Sequence, residues 1–147
     1  MENPSKITEV VLDGHSLTLE SFVAVARFGA RVSLSGEARE AMARSRALAE
    51  KIAGEKRVAY GITTGFGDFA TVAVSDELSS QLSTNLILSH CTGTGEPYSR
   101  EQVRGMMALR ANALCVGLSG VRPVLVEMLV DMLNRDVTPV IPQKGSL

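Results

Sequence analysis

The chain has 147 residues, of which 45% are hydrophobic and 21% are charged, and its formal net charge is −1. This composition predicts one globular domain with a buried core, and the balanced charge gives no reason to expect nucleic acid or an anionic membrane as a partner. No apolar stretch is suited to be a signal core or a membrane span, so a cytoplasmic location is expected. The two cysteines, Cys91 and Cys115, are expected to be buried thiols.

The first third of the chain predicts a short strand and two helices. Residues 7–17 favour a strand and a turn, because apolar residues lead into the turn pair Asp13-Gly14. A first helix is predicted over residues 19–28 and a second one up to about residue 53, each preceded by a hydroxyl residue that can cap it and followed by a glycine. The many charged residues of the second helix indicate that it is mostly solvated.

Residues 60–67, Tyr-Gly-Ile-Thr-Thr-Gly-Phe-Gly, are the most informative stretch. Three glycines in eight residues exclude a strand or helix interior, where each glycine costs roughly 0.5–1 kcal/mol relative to alanine. The segment is also unlike a solvated linker, because Tyr60, Ile62 and Phe66 favour burial. A glycine-rich loop that holds a tyrosine near buried surface is a candidate site. From the residues alone, a purely structural role for Tyr60 stays open.

Three further helices are predicted in the rest of the chain. The third is capped by Ser75 and runs to about His90, and residues 91–97 then read as a loop. Ser99 has the spacing of a capping box with a glutamine three residues later, at the start of a fourth helix over residues 100–116. That helix is apolar almost all round, so it is predicted to be central. With a fifth helix that begins at a proline, the chain predicts an all-α fold with a short N-terminal strand and turn.

The fifth helix and the tail that follows it both carry apolar surface. One face of the helix is formed by Leu125, Met128, Leu129 and Met132. Residues 137–147 contain two prolines, which exclude a helix, and apolar residues that normally pack on something that follows. We therefore expect the chain to stop in the middle of a larger structure.

Common cofactor and metal motifs are not matched. Residues 93–95, Gly-Thr-Gly, begin like a dinucleotide fingerprint but lack its later glycine, and no Walker lysine motif is present. Two histidines and two cysteines, of which only His90 and Cys91 are adjacent, do not form a zinc site. No metal is therefore expected, and the residues alone lead only to an α-helical domain with a possible site.

Five separate segments, in order and with consistent spacing, resemble the histidine and aromatic amino-acid ammonia-lyase family. They are residues 60–67, 85–90 (Asn-Leu-Ile-Leu-Ser-His), 93–97 (Gly-Thr-Gly-Glu-Pro), 117–123 (Gly-Leu-Ser-Gly-Val-Arg-Pro) and 141–147 (Ile-Pro-Gln-Lys-Gly-Ser-Leu). The resemblance runs from about residue 8 to the last residue. It implies that residues 1–147 are the N-terminal part of the ammonia-lyase catalytic domain.

The resemblance also implies the chemistry. Family members carry an Ala-Ser-Gly tripeptide that cyclises and dehydrates to a protein-derived 4-methylidene-imidazol-5-one electrophile, so no dissociable cofactor is expected. In the family pattern that tripeptide would begin two positions beyond Leu147. The expected partners are thus an amino-acid substrate and the remaining C-terminal part of the same enzyme, in a homotetramer whose active sites are shared between subunits.

Site residues follow from the same motifs. The resemblance assigns β-proton abstraction to Tyr60, whose phenol must be made more acidic than its reference pKa near 10. It implies substrate contacts from Gly61, Phe66, Asn85, Ser89 and His90. The Ser89-His90 pair is typical of histidine-specific members, whereas phenylalanine-specific members have apolar residues there.

The expected function is histidine ammonia-lyase, which converts L-histidine to urocanate and ammonia. A tyrosine ammonia-lyase or tyrosine 2,3-aminomutase is the alternative, because such enzymes can share the histidine. The alternative of a different class is a non-catalytic helical interaction module. Only the length of the chain favours it.

Overall fold

The computed structural model describes residues 2–55, 57, 59, 62 and 76–145. A short 3-10 helix, Pro4–Lys6, comes first. The described residues then form β1 (Glu9–Leu12), α1 (Leu19–Phe28), β2 (Arg31–Leu34), α2 (Gly36–Gly54), α3 (Asp76–His90), β3 (Thr94–Pro97), α4 (Arg100–Cys115), α5 (Pro123–Asn134) and β4 (Pro142–Lys144). The predicted all-α class is confirmed, because helices dominate and each strand has at most four residues. Among the described residues, no helix is both long and apolar enough to cross a membrane.

Local signals in the sequence place most helix ends correctly. Thr18 Oγ1 accepts a hydrogen bond from Ser21 N (3.2 Å), and Gly29, with φ 70°, ends α1. Ser99 forms the predicted capping box: its hydroxyl accepts from Gln102 N (3.3 Å), and its own N–H donates to Gln102 Oε1 (3.0 Å). The predicted cap Ser75 lies outside the described residues.

β1 lies within the strand predicted over residues 7–17, and the other three strands were not predicted. β1 and β2 form a parallel pair in which Val10 lies opposite Val32. β3 and β4 form a second pair, so the prediction of a loop over residues 91–97 is wrong for Thr94–Pro97. The physical reason is that glycine, glutamate and proline have low strand propensity, and only the distant β4 supplies pairing for this segment.

The chain divides into two compact units. The first unit consists of Met1–Arg46 and Pro97–Ile141. Its buried core comes from β1, β2, α1, α2, α4 and α5, and α4 contacts α1, α5 and β1. The prediction that α4 is central is therefore confirmed.

The buried side of α5 consists of Val126, Val130 and Leu133. In the predicted apolar face of this helix, Leu125 and Met128 are 49% and 62% exposed. Leu129 and Met132 of the same predicted face are partly buried and pack against the core. The predicted face is therefore confirmed in part, and the most buried residues of the helix lie beside it. α2 agrees with its prediction as a mostly solvated helix, since few of its residues are buried.

Arg104 of α4 is a charged side chain in this core, and it is 1% exposed. Its Nε and Nη2 donate to Val25 O (3.2 and 3.0 Å), and its Nη1 donates to Leu133 O (2.9 Å) and to Asp136 Oδ1 (3.1 Å). These bonds join α4 to residues near the ends of α1 and α5. Arg100 also binds Asp136, and this hydrogen bond holds the pKa of the Asp136 carboxyl below its usual value.

Asn134, the last residue of α5, closes the outer edge of β2. Its Nδ2 donates to Val32 O and its Oδ1 accepts from Val32 N, both at 2.8 Å. A side-chain amide presents one donor and one acceptor as a backbone amide does, so Asn134 takes the place of a neighbouring strand.

The predicted turn at Asp13-Gly14 is confirmed. Asp13 Oδ1 accepts from the backbone N–H groups of His15 and Ser16 (2.7 and 2.8 Å). Hydrogen bonds from the Ser16 side chain and these two amides lower the pKa of Asp13 to about 2. Gly14 is required here, because it has φ 91° and a Cβ would lie 2.7 Å from Val116 N.

Candidate active site

The second unit consists of Ala47–Glu96 and Pro142–Leu147. All six candidate site residues have numbers within the first of these ranges. Three of them, Asn85, Ser89 and His90, lie in the last turns of α3, and each is exposed. Asn85 and Ser89 are four residues apart, so they lie on the same side of the helix.

Asn85 has an oriented side chain. Its Oδ1 accepts a hydrogen bond from Gln81 Nε2 (2.8 Å), one helical turn earlier. Because only the carbonyl end of an asparagine amide can accept, this bond fixes which end faces Gln81. The Nδ2 donors of Asn85 are thereby turned away from Gln81.

His90 has a defined tautomer. Its Nδ1 lies 2.8 Å from Leu86 O and 3.0 Å from Ser89 Oγ, while Ser89 Oγ donates to the same Leu86 carbonyl at 2.9 Å. A carbonyl oxygen can only accept, so Nδ1 must carry the proton and donate it. The neutral ring then has its lone pair on Nε2. His90 therefore offers a hydrogen-bond acceptor at Nε2, and it suits a ligand that presents an N–H or O–H group.

The other three candidates, Tyr60, Gly61 and Phe66, lie outside the described residues. Within their segment, Ile62 N donates to Ala59 O (3.1 Å). Among the described residues, no group of three or more His, Cys, Asp or Glu side chains is placed to hold a metal ion.

The two cysteines, both among the described residues, are free. Cys115 is buried as predicted, and burial raises the pKa of its thiol to about 11. Cys91 is exposed, so the prediction of a buried thiol is wrong there. The reason is its position: α3 ends at His90, and every residue over 91–97 is exposed.

β3 and β4 form a close contact in this unit that the sequence pattern did not reveal. A Cβ on Gly93 would lie 3.0 Å from Pro142 Cγ, and one on Gly95 would lie 3.4 Å from Lys144 Cδ. The available signal was the pair of glycines in residues 93–95, which the sequence analysis used as a nucleotide motif to be tested and as part of the family resemblance, but not as a sign of close packing.

A family model described as aromatic amino acid lyase matches residues 17–147. The chain belongs to the aromatic amino acid lyase family. The resemblance found in the sequence motifs is thereby confirmed, and the mostly helical fold corresponds to the N-terminal region of the ammonia-lyase fold.

Individual members of the aromatic amino acid lyase family agree with this assignment. A curated protein named histidine ammonia-lyase, from Alkaliphilus metalliredigens, is 49% identical over 139 residues, which is 95% of this chain and 27% of that protein. Two solved structures are each 37% identical: tyrosine aminomutase from Streptomyces globisporus (TM-score 0.88) and histidine ammonia-lyase from Trypanosoma cruzi (TM-score 0.84). Each of these matches covers 94% of this chain and 26% of the solved chain. The chain therefore spans about a quarter of the length of these relatives.

Proposed function

We propose that this chain is the N-terminal part of a histidine ammonia-lyase, which converts L-histidine to urocanate and ammonia. Membership of the aromatic amino acid lyase family supports an ammonia-lyase, and 49% identity to a histidine ammonia-lyase supports histidine as the substrate. A homotetramer and a cytoplasmic location stay predictions.

The acceptor at His90 Nε2 favours a substrate whose ring carries a hydrogen-bond donor over phenylalanine, and the identity to histidine ammonia-lyase supports histidine within that class. Leu86 O and Ser89 Oγ hold the proton on Nδ1, at 2.8 and 3.0 Å. The imidazole of L-histidine has an N–H group that can donate to this acceptor. The phenyl ring of phenylalanine has no such donor, so it would leave His90 unpaired in a closed site.

Tyr60 is the proposed base that removes the β-proton. Its phenolate must lie within hydrogen-bond reach of that proton and must form near neutral pH. The neighbouring Gly61 would allow the backbone to approach the substrate closely. The electrophile formed from an Ala-Ser-Gly tripeptide in the rest of the enzyme would supply covalent activation of the amine, which is a poor leaving group.

Membership of the aromatic amino acid lyase family supports the protein-derived group as the cofactor.

The test is an assay of the complete polypeptide, extended to the length of its relatives, with L-histidine and with L-tyrosine. We expect the ultraviolet absorbance of urocanate to develop with L-histidine and little change with L-tyrosine. Coumarate formed from L-tyrosine, with no urocanate from L-histidine, would contradict the proposal.

The second candidate is a tyrosine ammonia-lyase or tyrosine 2,3-aminomutase. It is favoured by the TM-score of 0.88 to the tyrosine aminomutase structure and by the fact that a phenolic O–H can also donate to His90 Nε2. Coumarate from L-tyrosine indicates the lyase, and β-tyrosine indicates the mutase. A non-catalytic helical module predicts that neither amino acid reacts, and an intact mass near 15.7 kDa for the natural protein would favour it.

Replacing His90 with leucine in the complete enzyme should shift its preference from histidine towards an apolar aromatic amino acid. Loss of one hydrogen bond to the substrate costs about 1–3 kcal/mol, so kcat/KM for L-histidine should fall roughly 5- to 150-fold. The measurement is kcat/KM for L-histidine and L-phenylalanine. His15→Leu is the matched control, because His15 is the other histidine of the chain and lies in an exposed turn of the first unit. Unchanged selectivity in His90→Leu would show that His90 does not determine specificity.

A further inference from the structure

Gly93 lies against both ends of the segment that begins with β4. A Cβ on Gly93 would lie 3.0 Å from Cγ and 3.2 Å from Cβ of Pro142, and a Cβ on Gly145 would lie 3.6 Å from Gly93 Cα. The backbone of Gly93 therefore limits how closely residues 142 and 145 can approach it.

Space, rather than backbone conformation, is the reason for glycine at position 93. Gly93, which precedes β3, is not among the positive-φ glycines, whereas Gly95 within β3 has φ 85°. Gly95 is also less tightly confined, because its Cβ would lie 3.4 Å from the nearest atom, Cδ of the flexible Lys144 side chain. Alanine at position 93 thus tests contact alone, while alanine at position 95 would add backbone strain.

The expected displacement can be judged from ordinary contact distances. Carbon atoms in van der Waals contact lie about 3.5–4.0 Å apart. A methyl group on Gly93 would therefore push the Pro142 ring away by roughly half an ångström. A proline ring cannot rotate aside as the Lys144 side chain can, so the displacement must be taken up by the backbone of β4.

We propose that Gly93 is a positioning residue: through its contact with Pro142 it sets the position of β4, and thereby of the chain beyond it that carries the Ala-Ser-Gly tripeptide. This inference rests on the proposed function. Formation of the electrophile would join the glycine nitrogen to the alanine carbonyl carbon. One water would leave with that carbonyl oxygen and the hydrogens of the glycine and serine N–H groups, and a second with the serine hydroxyl and the serine Cα hydrogen, so no oxidant and no co-reactant would be needed. The cyclisation does need the glycine nitrogen and the alanine carbonyl carbon to be held close together. It is therefore sensitive to the path of β4, the preceding strand.

The test is Gly93→Ala in the complete polypeptide, with intact mass as the first readout. The intact mass of the wild-type protein should be lower than the mass calculated from its sequence, because water has been lost. A substantial fraction of the folded variant should instead have the full calculated mass. kcat should fall at least roughly tenfold, while the KM of the molecules that remain active should change little. Gly54→Ala is the matched control, because Gly54 has ordinary φ and nothing within 4 Å of its Cβ position.

A double variant separates the contact from a general loss of folding. Pro142→Gly removes the ring that the new methyl group would strike, so Gly93→Ala/Pro142→Gly should recover water loss relative to Gly93→Ala. A Gly93→Ala variant with wild-type water loss and kcat overturns the inference, as does a double variant that shows no recovery. A wild-type protein that neither loses water nor releases ammonia contradicts the proposed function itself.

Discussion

Replacing Tyr60 with phenylalanine in the complete enzyme should abolish turnover of L-histidine and leave the fold intact. The variant loses one oxygen atom, and with it the group proposed to accept the β-proton. General-base catalysis contributes roughly 10²- to 10⁴-fold in rate, and no neighbouring side chain is proposed to replace it. The measurement is kcat from urocanate formation, together with the circular dichroism spectrum and the thermal midpoint of the variant.

Tyr98→Phe is the matched control for this substitution. Tyr98 is the other tyrosine of the chain, and it lies in the first unit, where it packs partly buried against the core. Its backbone N–H, which donates to Ile141 O, is unaffected by the change. We expect activity close to wild type in Tyr98→Phe. Near-normal turnover in Tyr60→Phe would exclude Tyr60 as the base.

Replacing Arg104 with methionine should destabilise the first unit by about 3 kcal/mol. Methionine fills much of the volume of arginine but donates no hydrogen bonds. Val25 O would lose both of its hydrogen bonds from Arg104, and a buried acceptor without a partner costs about 1–3 kcal/mol. Leu133 O would lose its bond from Arg104 and keep only backbone donors, among them Asp136 N at 3.4 Å. The measurement is the free energy of unfolding from urea denaturation.

Two comparisons isolate the cause of this loss. Arg110→Met changes an exposed arginine of the same helix, so it should alter stability by less than about 0.5 kcal/mol. Arg104→Lys keeps the charge but cannot reproduce the fork that reaches three acceptors, so it should restore only part of the stability. Equal stability of Arg104→Met and Arg110→Met would show that the buried hydrogen bonds contribute nothing.

Features decided by neighbouring residues could be predicted from the sequence. Thr18 and Ser99 cap their helices as expected, because each cap needs only a hydroxyl and a backbone N–H three residues later. The left-handed glycine at position 29 is similarly local. These signals, with the apolar character of α4, were enough for the fold class.

Features that depend on distant residues could not be predicted. β2 is only four residues long, and its two edges are satisfied by β1 and by a side chain from α5. β3 forms because residues near position 143 pair with it. In the candidate site, the motif identified His90 but not which of its ring nitrogens carries the proton. That assignment required the three-dimensional position of the Leu86 carbonyl relative to the ring.

The bond between Asn134 and Val32 has a consequence for folding on the ribosome. The two residues are 102 positions apart, so β1, α1 and β2 emerge long before the group that completes the edge of β2. At a synthesis rate of about 5–20 residues per second, the interval is roughly 5–20 s. During that time β2 presents an unpaired Val32 amide and carbonyl to any passing strand. Until Asn134 is synthesised, the edge of β2 at Val32 is therefore open to pairing with another strand, and a chaperone that covers this edge would prevent it.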